Sequence, residues 1–157
     1  MLPISLRGQT NALGGPDQGE LQQYALLHAH YAARIPDLLS LDEKATIPVI
    51  AVASVVTLFR ESGLGLEPSV LDGDCDYSTE SILVIDGGSN TGKFGLQFAA
   101  LAGFEKLITT TSTRDPAKVK YLKSLRATHV GEQEGEFEDV LGQIREIEGG
   151  LWPGVCP

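Results

Sequence analysis

The residues of this chain whose types and spacing could do chemistry lie in one stretch, Ile82 to Gln97, reading "ILVIDGGSNTGKFGLQ". Four apolar residues run into a glycine-rich turn and then into helix-forming residues. In such a frame, backbone N–H groups and the positive end of a helix dipole hold phosphate. Two spacings overlap in the stretch. Gly87, four residues, then Gly92-Lys93 is the outline of a P-loop, a cradle for a nucleoside triphosphate. Gly87, Ser89 and Gly92 are the outline of a degenerate dinucleotide loop, with serine in the place of the middle glycine.

The chemistry each reading requires separates them. A P-loop needs a hydroxyl after its lysine to hold Mg²⁺, and that position is Phe94, followed by Gly95. It also wants an acid at a neighbouring strand end, where this chain has the neutral run "ITTTST". The P-loop therefore stays a minor alternative. A dinucleotide loop needs a glycine for the tight turn, a small residue where backbone meets pyrophosphate, and a glycine for close helix–strand packing; Gly87, Ser89 and Gly92 supply these in order. The N–H groups from Asn90 to Lys93 would face the pyrophosphate.

About 20 residues after such a turn, NAD sites usually offer a carboxylate to the adenosine ribose. This chain has Thr111, Ser112, Thr113 and Arg114 there, with Lys118 close behind. A carboxylate would repel a 2′-phosphate, whereas hydroxyls and cations can hold one, so NADP(H) is expected, with NADPH preferred over NADH. The competing reading makes these residues only a polar turn and helix cap.

The elements that must position these groups follow from periodicity. A strand is expected over Ile82–Ile85, a helix over Thr91–Ala102 ended by Gly103, and a strand over Lys106–Thr111, together one βαβ unit. Asp115 and Pro116 should cap and open a helix with Val119, Leu122 and Leu125 on one stripe, followed by a short strand around His129 and Val130. Phe137, Val140, Leu141, Ile144 and Ile147 space a last helix. Alternating strands and helices predict an α/β fold with a parallel sheet.

Upstream, residues 1–20 read as loop or frayed end, and "LQQYALLHAHYAARIP" as one or two short strands ending at Pro36. His28 and His30 would share a strand face; with no third ligand nearby they read as a surface or half-buried pair rather than a metal site. Ser40 with Asp42 and Glu43 marks a helix start. Pro48 should break or kink that helix, after which "VIAVASVVTLFRESG" continues as a buried helix closed by Gly63. "GLEPSVLDGDCDYSTE" reads as a turn-rich connector crossing the surface.

Composition bounds the function classes. The 157 residues are 42% apolar and 21% charged, ordinary for one globular domain. Twelve basic against 21 acidic residues give a formal charge of −9, which disfavours nucleic acid and anionic membrane surfaces as partners. Cys75 and Cys156 form neither a disulfide framework nor a zinc spacing. No signal peptide or bilayer span is read in the sequence, and a soluble, cytoplasmic chain without zinc is expected.

With these residues placed, the chain resembles the medium-chain dehydrogenase/reductase superfamily, the zinc-type alcohol dehydrogenase-like and quinone or enoyl reductases. It looks most like the zinc-independent reductases of fungal secondary metabolism. The resemblance rests on "GELQQYALLHAHYAARIPDLLSLDEKATIPV", "VIDGGSNTGKFGLQFAALAG" and "VKYLKSLRATHV", and covers about residues 18 to 150. It implies cofactor contacts at Gly87, Gly88, Ser89, Asn90, Thr91 and Gly92, and at Ser112, Lys118 and Tyr121 around the adenosine phosphate. It implies no catalytic residue in the readable motifs.

Two departures from the family pattern stand out. Asp86 occupies the family's small first loop position, where its charge would weaken pyrophosphate binding. Arg126 occupies a helix end where the family's S-L-G-A-D carries glycine.

Through the resemblance, residues 1–40 read as the remnant of a GroES-like N-terminal catalytic domain, 41–150 as a partial Rossmann nucleotide-binding domain of about three strands in order 3-2-1, and 151–157 as an irregular tail. Such a fragment of an NADP(H)-dependent oxidoreductase would be inactive alone. The first strand of its sheet would lie at an open edge, available to a homodimer partner. A non-catalytic nucleotide-binding or protein-interaction module is the alternative.

Overall fold

The computed structural model of the chain describes residues 4–6, 23, 29, 32–34, 36–113, 115–132, 142, 145 and 146. Two compact units divide between Val52 and Ala53. In the first, strands β1 (Ile4–Leu6) and β2 (Ala32–Arg34) pair antiparallel, with Ile4 opposite Arg34. Residues 4–6 thus form a strand where the sequence suggested only loop. Three residues are too few to show a period, and the pairing with a segment far along the chain fixes them. His28 and His30 lie outside the described residues.

Helix α1 (Leu41–Ala45) starts as its sequence dictates. The Ser40 hydroxyl accepts from the Glu43 N–H while the Glu43 carboxylate accepts from the Ser40 N–H at 2.9 Å, a reciprocal capping box. The Ser40 hydroxyl also donates to that carboxylate at 2.7 Å, and this bond first, then the one from the Ser40 N–H, holds the Glu43 carboxyl below its ordinary pKa. Pro48 neither kinks nor continues this helix: it is the first residue of α2 (Pro48–Phe59), where a missing N–H costs nothing.

The sequence reading of α2 as buried is corrected. Only Ser54 and Leu58 are buried along it, and Val49, Val55 and Val56 are exposed. Apolar residues surround the helix, and the described elements cover one side of it. Nor does Gly63 close it directly. The helix ends at Phe59, and the chain folds back through Gly65 at φ +61°, with Leu64 N–H bonded to the Thr57 carbonyl.

The connector after α2 is likewise more than a surface crossing. Leu66, Pro68 and Tyr77 are buried, and the Tyr77 ring stacks on Phe104 with centroids 4.8 Å apart. Its hydroxyl accepts from the Glu67 N–H at 3.0 Å, and Pro68 bridges to Cys75 around a short 3₁₀ turn, Ser69–Leu71. Turn-forming residues dominate the composition here, but Leu66, Pro68 and Tyr77 face inward while Val70 and Leu71 stay exposed.

The rest is the expected alternation: β3 (Ser81–Val84), α3 (Asn90–Leu101), β4 (Lys106–Thr111), α4 (Pro116–Ser124) and β5 (His129–Glu132). The three strands form a parallel sheet in the order β3-β4-β5, the expected partial Rossmann-like α/β arrangement. In the central strand β4 every residue after Lys106 is buried, whereas in β3, at the sheet edge among the described residues, only Ile82 is. Leu96 and Ala99 of α3 and Leu122 of α4 pack with Ile82, Leu107 and Phe104 in one core. Of the expected last helix, Gly142, Arg145 and Glu146 are helical and the remainder lies outside the described residues.

Helices α3 and α4 end in the same way with different residues. Gly103 at φ +105° follows α3, with Phe104 N–H bonded to the Ala99 carbonyl. Arg126 at φ +83° follows α4, with Ala127 N–H bonded to the Leu122 carbonyl. Both are Schellman closures, and the second places a side chain where glycine is favoured.

Candidate functional site

Parallel pairing sets the site. Val84 lies opposite Thr109, so the turn leaving β3 and the chain leaving β4 emerge at the same carboxyl edge of the sheet. In open α/β sheets, ligands bind outside this edge.

The glycine turn is suspended from the threonines of β4. Gly87 N–H donates to Thr109 Oγ1 at 3.0 Å and to the Thr110 carbonyl at 3.1 Å, and Asp86 N–H donates to Thr110 Oγ1 at 3.0 Å. Thr109 Oγ1 in turn donates to the Val84 carbonyl at 2.6 Å. A Cβ at position 87 would collide with Thr109 Oγ1, and one at 92 with the Asp86 carbonyl oxygen. These are the tight-turn and close-packing roles that the dinucleotide spacing assigned to Gly87 and Gly92. The loop also has a left-handed residue without glycine's freedom, Asp86 at φ +52°.

Ser89 is the N-cap of α3, so the helix begins at Asn90, one residue before the position expected from sequence. Its hydroxyl accepts from the Gly92 N–H at 3.0 Å and donates to the Asp86 carbonyl at 2.8 Å. The exposed residues Asn90 and Thr91 form the first turn, where N–H groups have no intrahelical carbonyl to meet. That turn contains no acidic residue.

Opposite the turn stands α4, opened by Pro116 and capped by Asp115, whose carboxylate accepts from the Ala117 N–H at 3.0 Å. This cap aims Lys118 back over the sheet edge. Lys118 Nζ lies 3.4 Å from Ser112 Oγ, and its Cε would lie 2.9 Å from a Cβ built on Gly88. One helical turn on, Tyr121 is exposed, with Lys93 Nζ 5.8 Å from its ring centroid. Gly88, Ser112 and Lys118 therefore meet at one place, and Tyr121 is joined to it through α4. Arg114 lies outside the described residues.

Sequence reasoning missed the threonine supports and the Lys93–Tyr121 contact. Thr109 and Thr110 were visible only as a neutral strand end, because their role depends on strand register. Thr111 is fully buried, and its hydroxyl has no hydrogen-bond partner among the described residues. Together, a cradle that a Cβ would fill, a helix N-terminus and a lysine–hydroxyl pair fit the phosphates of a dinucleotide. Among the described residues no group of three His, Cys, Asp or Glu could hold a metal ion, and no helix is long and apolar enough to cross a membrane.

No family model matches the chain. It is 38% identical over 120 residues to a zinc-type alcohol dehydrogenase-like protein of Schizosaccharomyces pombe, a match covering 76% of this chain and 30% of that protein. It is 30% identical over 131 residues to a trans-enoyl reductase of Aspergillus terreus, covering 83% of this chain and 40% of the relative. The chain thus spans well under half the length of these relatives.

Among solved structures, Escherichia coli quinone oxidoreductase complexed with NADPH superposes with a TM-score of 0.57 at 24% identity, covering 78% of this chain and 32% of that one. The CurK enoyl reductase superposes with a TM-score of 0.59 at 22% identity, covering 76% and 31%. At such identities these structures establish the shared fold. From the sequence matches and the fold together, the chain belongs to the medium-chain dehydrogenase/reductase superfamily, the group of alcohol dehydrogenase-like, quinone and enoyl reductases.

Proposed function

We propose that the chain supplies the phosphate- and adenosine-binding part of an NADP(H)-dependent oxidoreductase acting on an enone, enoyl thioester, quinone or carbonyl. The observation that carries this reading is the meeting of the Gly87–Gly92 turn with Ser112 and Lys118 at one sheet edge. Structures that share the fold include one complexed with NADPH. The bound nicotinamide would supply hydride.

The chain's own residues bind and orient. Backbone N–H groups of Asn90 and Thr91, with Gly87 and Gly92 allowing the tight turn and close packing that present them, face the pyrophosphate. Lys118 and Ser112 take the adenosine 2′-phosphate, and Tyr121 flanks it. A 2′-phosphate met by a lysine and a hydroxyl favours NADPH over NADH. Residues 1–40 belong in this reading to the N-terminal catalytic domain, 41–150 to the nucleotide-binding domain and 151–157 to an irregular tail. The chain works without zinc in the cytoplasm. Its β3 edge pairs with a second copy, and alone it does not turn over.

Calorimetry with NADPH, NADH, 2′-phospho-ADP-ribose and ATP with magnesium tests this reading. NADPH should bind more tightly than NADH, and the Lys118→Met variant should lose on the order of tenfold or more in NADPH affinity, the worth of a charge-assisted hydrogen bond. Tighter binding of ATP with magnesium would restore the P-loop reading. NADPH-dependent reduction of quinones, enones or aldehydes by the purified chain would overturn its inactivity, and equal affinity for NADH would overturn the role of Ser112 and Lys118.

A further inference from the structure

We propose that Lys93, held across the gap between α3 and α4 by the ring of Tyr121, is a second specificity-determining cation for the 2′-phosphate, acting beside Lys118. The proposal rests on the dinucleotide reading above and adds to it a residue that the loop spacing assigns only through its backbone.

Lys93 stands in an unfavourable place for a cation. It follows Gly92 at the start of α3, where the helix dipole is positive and no acidic residue offsets it. The side chain is half-buried and Nζ lies over the Tyr121 ring, 5.8 Å from the centroid, within cation–π range. Tyr121 follows Lys118 by one turn of α4, and Lys118 Nζ is 3.4 Å from Ser112 Oγ. Lys93 of α3 thus reaches α4 one turn beyond the residue whose own ammonium meets Ser112. Each cation sits near the start of its own helix, where the dipole adds to its charge, and in this proposal the anion that offsets both lies beside Ser112. That position is the adenosine 2′-phosphate.

The contact with Tyr121 gives Lys93 its direction. An unanchored lysine at this position would extend toward solvent or toward the pyrophosphate. The ring places the ammonium at α4 instead, so its effect should fall on the 2′-phosphate and spare ligands that lack one.

Affinities of Lys93→Met, Lys93→Arg, Tyr121→Phe and Tyr121→Leu for NADPH and NADH, with thermal unfolding of each free variant, test the proposal. Lys93→Met should weaken NADPH by about fivefold, the scale of a partly exposed ion pair, and leave NADH within twofold. Lys93→Arg should retain the preference and Tyr121→Phe, which keeps the ring, should lose little of it. Tyr121→Leu should lose at least as much as Lys93→Met, and adding Lys93→Met to it should cost little more. Equal losses on NADPH and NADH would assign Lys93 to the pyrophosphate and overturn the proposal. So would lower thermal stability with both affinities unchanged, which would make the contact purely structural. If the unaltered chain binds neither dinucleotide, the functional reading fails and the role of Lys93 falls with it.

Discussion

Thr109 Oγ1 accepts the Gly87 N–H at 3.0 Å and donates to the Val84 carbonyl at 2.6 Å, so a single buried hydroxyl ties the glycine turn to the strand that feeds it. Thr109→Val keeps the shape, takes the hydroxyl donor from the Val84 carbonyl and leaves the Gly87 N–H only its bond to the Thr110 carbonyl. A cost of about 1–3 kcal/mol is expected in urea unfolding, with Thr109→Ser recovering most of it. The same variant should weaken NADPH binding, because the turn loses its support.

Arg126 adopts φ +83° at the closure of α4, the position that Gly103 fills after α3. Arg126→Gly removes the left-handed penalty and should raise stability by roughly 1 kcal/mol. Equilibrium urea unfolding checks it; Gly103→Arg should move stability the other way by a similar amount.

Asp86 combines two costs, φ +52° and a carboxylate at the phosphate turn. Asp86→Asn keeps the tolerance for left-handed backbone and removes only the charge, so it isolates the electrostatic part. NADPH and NADH should both bind more tightly to it, by similar factors, since both carry the pyrophosphate. Calorimetry showing a gain for one ligand alone would place Asp86 elsewhere.

Glu43 titrates below its ordinary value because Ser40 hydrogen-bonds its ionised form, through the side chain and then the backbone. A depressed folded-state value gives stability that is present above the ordinary carboxylate pKa and is lost as pH falls through the lowered one. The capping box should therefore open in acid. Carboxyl-carbon NMR titration should show Glu43 returning toward its ordinary value in Ser40→Ala.

Local chemistry made much of the fold legible. Ser40 with Glu43, Pro116 after Asp115, and Gly103 each satisfy a helix terminus through neighbours in sequence, and these boundaries are where the sequence puts them. The bounds of β4 were also readable, from an apolar and β-branched run between polar ends. Interactions between distant residues were not readable. The Thr110–Asp86 hydrogen bond depends on strand register, and the Lys93–Tyr121 contact on how two helices cross the sheet. Tyr77 misled in the opposite direction: polar turn residues surround it, yet its ring is inside.

The Tyr77–Phe104 stack, with the tyrosine hydroxyl on Glu67, pins both ends of the connector and leaves its exposed tip at Leu71 and Asp72 anchored by neither contact. Backbone cut or lengthened at that tip would remain bound through the two pinned ends. The connector is thus a natural insertion point: a reporter peptide or fluorophore could be grafted at Asp72 and leave the threonine-hung turn and its lysines intact, giving an optical handle on nucleotide binding in a chain with a single tryptophan.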